Sequence, residues 1–224
     1  PPEAVALPDV ASYTGVDVEK IVGLEADLVI AGGNNFNDPQ ALQKLRSLGI
    51  PVLVVYAPTV DAVLADIELI GRAIGRSAEG AEIKAAMKAE IEAIAKATAG
   101  LPKPRVFYEL DATNGYFGPA PDYFGVEMIR LAGGDPLTSG TPGVFQIPAE
   151  RIVAFDPEVI LLGDAAYGVT PDQVAARAGW AVVSAVRTGA IRPVDDIVIT
   201  RPGPRLVDGL RALALAIHPD VALP

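Results

Sequence analysis

Two glutamates, Glu19 and Glu150, occupy the same place in a stretch that occurs twice in the chain. The first copy opens Val16-Asp17-Val18-Glu19-Lys20-Ile21-Val22 and closes Asp27-Leu28-Val29-Ile30. The second opens Ile147-Pro148-Ala149-Glu150-Arg151-Ile152-Val153 and closes Glu158-Val159-Ile160. The separation is too long for a solenoid period and implies two similar lobes. Each copy reads as a short helix feeding a buried strand, with the glutamate in the first helical turn. The helix macrodipole favours a carboxylate there by about 0.3–1 kcal/mol, so one such glutamate needs no further explanation. Two at matching positions offer a two-point charged grip to a partner with the same two-fold symmetry.

Other chemistry is narrowed by what the chain lacks. It contains no cysteine, which excludes disulfides, thiolate metal sites and thiol nucleophiles. Its one histidine, His218, excludes multi-histidine metal sites. A net charge of −10 argues against a nucleic-acid partner, which requires a basic surface. There is no GxGxxG and no P-loop, and Gly32-Gly33 and Gly133-Gly134 do not make a nucleotide fingerprint. No metal site or cofactor is expected. The opening Pro1-Pro2-Glu3-Ala4 carries no signal-peptide pattern and reads as the middle of something longer.

The elements that must position these residues alternate in type. Ile30-Ala31 ends a strand at Gly32-Gly33. Asp38 is a good N-cap and Pro39 a good first helical residue, giving a helix to Leu48 that Gly49 stops. Val52–Tyr56 reads as a strand. Thr59 caps a helix with the stripe Val63, Ile67, Ile70, Ile74. The order α-β-α-β-α is the grammar of a parallel sheet. Ser77 then caps a long helix over 77–99, ended by Gly100 and Pro102. The resulting division is 1–76 for a first lobe, 77–100 for a connecting helix and 101–224 for a second lobe. A long surface helix within a single domain remains the competing reading of 77–99.

The second lobe opens on the strand Arg105–Leu110 and a loop rich in Gly, Pro and aromatics. A helix follows over Gly125–Leu131. The second repeat copy carries a strand over Val159–Leu162. Ile191–Val194 and Ile197–Thr200 read as short strands, and Arg205–Ile217 as the last helix. Trp180 reads as a core anchor. His218 suits a helix C-terminus better than a metal. Arg205, a cation at a helix N-terminus, is expected to pair with a carboxylate.

In this order the chain resembles the substrate-binding proteins of ABC importers that have a helical backbone between two lobes (class III), which serve cobalamin, ferric siderophores and haem. The resemblance rests on Pro1-Pro2-Glu3-Ala4, the first repeat, Leu48-Gly49-Ile50-Pro51-Val52, Leu131-Ala132-Gly133-Gly134, Glu150-Arg151-Ile152 and Arg201-Pro202-Gly203-Pro204-Arg205-Leu206-Val207. It implies an α/β fold of two lobes, with parallel sheets flanked by helices and joined by one long helix. It implies an exported, periplasmic or membrane-associated protein that is no enzyme. It also implies a docking glutamate in each lobe for the arginines of a permease dimer, at Glu19 and Glu150. Members of the family begin with a strand-helix-strand unit that this sequence lacks, so the first lobe is expected to be incomplete.

Ligands of open parallel sheets sit beyond the carboxyl ends of the strands. With a cleft between lobes, that rule selects Tyr13, Asn34, Asn35, Phe36 and Tyr56 on one side. It selects Asp111, Tyr116, Phe117, Asp164 and Arg201 on the other. Aromatic rings would stack on a large flat ligand, a corrinoid, haem or ferric siderophore, and the polar groups would fix its edges. Two further readings stay open: an α/β cleft enzyme using Asp111 and Asp164 as acid and base, and a ligand sensor of the same fold.

Overall fold

The computed structural model describes residues 4–12, 15–33 and 38–224. The chain divides into two compact units, Pro1–Ala57 and Pro58–Pro224. In the first, β1 (Ala11–Ser12) pairs antiparallel with β2 (Gly15–Val16). Helix α1 (Val18–Gly23) is capped by Asp17, whose carboxylate accepts the Lys20 N–H at 2.9 Å. Helix α2 (Pro39–Ser47) is capped by Asp38 through the Gln40 N–H at 2.8 Å, with Pro39 in the first turn. Both satisfy backbone donors that a helix start leaves orphaned. Strands β3 (Val29–Gly32) and β4 (Val52–Val55) lie parallel, Val29 beside Val52 and Gly32 beside Val55. Val29, Ala31, Val52 and Val54 turn one sheet face onto Ile21, Leu42 and Leu45, which form this unit's core.

The second unit begins with α3 (Val60–Ala73), capped by Thr59, and the 22-residue α4 (Ser77–Thr98). The N-cap of α4 is Arg76, one residue before the expected Ser77, and no side chain caps it. The helix is continuous, and Met87, Ile91 and Ile94 along it are buried. α3 turns back on α4 at a point where both carry glycine. A Cβ on Gly71 would stand 2.9 Å from the Gly80 Cα and 2.9 Å from the Arg76 carbonyl oxygen. This close backbone approach packs α3 against α4, and both belong to the second unit, whose first residue is Pro58.

Four parallel strands follow in the order β6-β5-β7-β8: β5 (Arg105–Glu109), β6 (Asp135–Pro136), β7 (Val159–Leu162) and β8 (Ile191–Pro193). All four residues of β7 are buried, the continuous apolar run of a strand covered on both faces. The connections carry α5 (Phe124–Leu131), α6 (Ala149–Phe155), α7 (Pro171–Ala175) and α8 (Ser184–Thr188). Trp180 anchors the core beside Phe107, Ile160 and Leu162, as expected from its place after Gly179. Thr98, at the end of α4, donates to the Leu131 carbonyl at 2.8 Å and ties the long helix to α5.

Ile197–Thr200 is not a strand. It lies in α9 (Asp196–Thr200), because the Asp195 carboxylate accepts the Ile197 N–H at 3.0 Å and starts a helical turn that β-branched residues alone would disfavour. The last helix is α10 (Leu206–Ile217). His218 caps it, its Nε2 lying 3.2 Å from the Gly133 carbonyl oxygen. Arg205 forms no ion pair among the described residues; it is exposed at the start of α10, so water screens the charge that a carboxylate was expected to balance.

Candidate ligand-binding and docking site

The carboxyl ends of β5 and β7 lie side by side, Glu109 opposite Leu162. Beyond β5 the chain turns at Asp111, which is exposed. Its carboxylate accepts from the Thr113 hydroxyl at 2.7 Å and the Thr113 N–H at 2.9 Å. These bonds hold its pKa below the usual range. Phe117 bridges back to Asp111 on one side and Gln146 on the other. Tyr116 and Phe117 are half-buried.

Beneath this loop is a buried ion pair. Glu109, fully buried, accepts from both terminal nitrogens of Arg177, at 2.5 and 2.7 Å. The guanidinium carbon lies 4.9 Å from the Tyr116 ring centroid and 4.8 Å from that of Trp180. The two rings are themselves 5.1 Å apart. A bidentate carboxylate and two aromatic faces thus hold one arginine in a single pose.

Asp164 follows β7 in a short 3-10 turn, Gly163–Tyr167. It was expected to face a ligand; the structure places it beneath the surface, 3% exposed, with neither carboxylate oxygen hydrogen-bonded. Burial first, and then the neighbouring Glu109 carboxylate, push its pKa up to about 6. Tyr167, at the end of the same turn, is 83% exposed.

On the other flank of β5, the Tyr108 hydroxyl donates to Asp196 at 2.5 Å. Burial, and then the Asp196 charge, raise the pKa of both Tyr108 and Tyr123; Arg201 opposes the rise at Tyr123. Arg201 is exposed and lines a shallow cavity of about 380 Å³ with Ile197, Pro202, Gly203, Pro204 and Arg205. In the first unit Tyr56 is 55% exposed just past the end of β4. Tyr13, Asn34, Asn35 and Phe36 lie outside the described residues. Of the residues selected by the strand-end rule, the second unit therefore gathers Asp111, Tyr116, Phe117 and Asp164 around β5 and β7, with Arg201 after α9.

Glu109, Arg177 and Tyr167 were not singled out from the sequence. A glutamate ending the buried run Val106-Phe107-Tyr108 was a legible signal, since a charge at a strand's buried end needs a partner. Nothing local marked Arg177, which lies 68 positions further on.

Glu19 and Glu150 are both exposed, in the first turns of α1 and α6. Asp17 occupies the cap of α1, leaving the Glu19 carboxylate free of that duty.

The profile of the periplasmic binding protein family matches residues 1–197. The chain belongs to that family. Among curated relatives, the ABC transporter substrate-binding lipoprotein YvrC of Bacillus subtilis is 31% identical over 92% of this chain and 66% of its own length. A cobalamin-binding protein of Halobacterium salinarum is 34% identical over 90% of this chain and 56% of its own length. The chain thus spans between about half and two thirds of these relatives. A solved periplasmic haem-binding protein from Roseiflexus superposes with a TM-score of 0.83, covering 96% of this chain and 84% of that one, at 25% identity. The α/β architecture of parallel sheets flanked by helices is that of the family. Among the described residues no helix is long and apolar enough to cross a membrane.

Proposed function

We propose that this periplasmic binding protein captures a corrinoid, haem or ferric siderophore outside the cytoplasm and delivers it to the permease dimer of an ABC importer. The observation that carries this reading is the exposure of Glu19 and Glu150 in the first turns of two repeated helices. Carboxylates so placed match a two-fold permease bearing arginines, and close interfacial charge pairs have couplings of roughly 1.5–7 kcal/mol. Relatives named for cobalamin and a structural neighbour named for haem support the ligand class. Tyr116, Phe117, Arg201 and the exposed Tyr56 supply the aromatic and cationic groups that such ligands use. Asp111 contributes an exposed acceptor, and Asn34, Asn35, Phe36 and Tyr13 belong to the proposed set by sequence position.

The test separates capture from delivery. Calorimetry with cyanocobalamin, haemin and a ferric catecholate identifies the ligand class. Uptake of that ligand into vesicles carrying the cognate permease is then measured for the Glu19→Ala, Glu150→Ala double variant. The expected result is unchanged affinity with uptake reduced to the level seen without binding protein. Wild-type uptake by the double variant would overturn the docking role, and a collapse of affinity would move both glutamates into the ligand site.

A further inference from the structure

The buried carboxyl pair beneath the Tyr116 loop has no role in the reading above. Both oxygens of Glu109 are taken by Arg177, while Asp164, almost as deeply buried, has no partner for either oxygen. The groups facing Asp164 come from two directions. From β5 come Glu109 and Tyr108, and from the segment after α7 comes Arg177; Asp196 of α9 accepts a hydrogen bond from the Tyr108 hydroxyl and lies against the neighbouring Gly163. Among the described residues Arg177 is the cation acting on Asp164, and both of its terminal nitrogens bond Glu109. An ionised Asp164 would add an uncompensated buried charge beside the buried Glu109 carboxyl. A protonated Asp164 has a hydroxyl to donate, and Glu109 is the acceptor beside it. Carboxyls crowded in this way keep one proton between them.

We propose that Asp164 and Glu109 share a single proton, and that this proton holds Arg177 in its clamp between Tyr116 and Trp180, making the Tyr116 loop proton-responsive. When the proton leaves to solvent, Arg177 has two carboxylates to serve and its bidentate hold on Glu109 is divided between them. Tyr116 packs on that guanidinium and on Trp180, so its ring is released from a fixed pose. The burial-driven rise of the Asp164 pKa to about 6 puts this event within the range of extracytoplasmic pH. The inference does not depend on which ligand is carried.

Trp180 is the only tryptophan in the chain and sits 4.8 Å from the clamped guanidinium, so its emission reports directly on the clamp. The experiment is a fluorescence titration of the folded chain from about pH 4.5 to about pH 8, the window in which a carboxyl raised this far would titrate. His218 is the only histidine in the chain, so His218→Gln serves as the background. The expected result is one sigmoidal change in emission with a midpoint near pH 6. Asp164→Asn, whose amide remains a donor toward Glu109, should abolish the change and hold the low-pH emission throughout. A flat wild-type titration would overturn the proposal, whether or not either variant folds. So would a transition that survives unaltered in Asp164→Asn.

Discussion

Glu25 and Asp156 are the two non-glycine residues of the described chain with left-handed backbone, at φ 50° and φ 49°. They stand at the same place in the two repeats, six residues after Glu19 and Glu150 respectively. Each turns the end of a repeated helix toward the strand that follows, so the repeat extends to backbone geometry. Left-handed backbone costs an L-residue roughly 1–2 kcal/mol. Asp156 offsets it with bonds from the Ser184 N–H at 2.7 Å, the Ser184 hydroxyl at 2.9 Å and Arg105 at 3.0 Å. Glu25 has no side-chain partner of that kind among the described residues. Glu25→Gly should therefore raise the urea midpoint, by about 1 kcal/mol in stability. Asp156→Gly, which relieves the same backbone but removes three bonds, should lower it.

Stability should respond to pH through Asp164. Its folded pKa of about 6 exceeds the ordinary 3.8, so the folded chain retains a proton that the unfolded chain releases. Stability from this group is fully present below about pH 4 and is lost as pH rises through about 6. Asp164→Asn should remove the slope and be the more stable protein at neutral pH, measured as the difference between wild-type and variant urea curves across that window.

Arg177→Met should be severely destabilising. It leaves the fully buried Glu109 charged and unpaired, and breaking one side of such a pair costs about 3–5 kcal/mol. Adding Glu109→Gln should recover part of the loss. A double-mutant cycle on thermal or urea unfolding gives the coupling, and additive losses would show that the two side chains do not depend on each other.

Gly71→Ala should destabilise by about 1–3 kcal/mol through overpacking. The added methyl meets backbone atoms of Gly80 and Arg76 at 2.9 Å, and backbone cannot rotate away as a side chain does. Gly75→Ala, in open space near the end of α3, has no such clash and carries only the strain of its positive φ. Its loss should be the smaller in the same unfolding assay.

The sequence by itself determined the features whose causes lie within a few residues. Asp38 and Thr59 bond to amides two or three positions on, so the starts of α2 and α3 were legible. The apolar run Val159–Leu162 named a strand buried on both faces, and the repeat placed Glu19 and Glu150 in equivalent first turns. Its limit appeared at Ile197–Thr200, where β-branched composition pointed to a strand and a single cap at Asp195 decided for a helix. Tertiary structure alone decided which charges meet. Asp164 looked like a ligand contact because it follows a strand, but packing buried it beside Glu109. Arg177 became the clamp of that cluster because the turn after α7 returns to the end of β5. Arg205 had every local reason to seek a carboxylate, yet it stands exposed and forms no ion pair among the described residues. Caps and periodicity act along the chain at short range, whereas the desolvation that gives a buried charge its partner exists only after distant segments have packed.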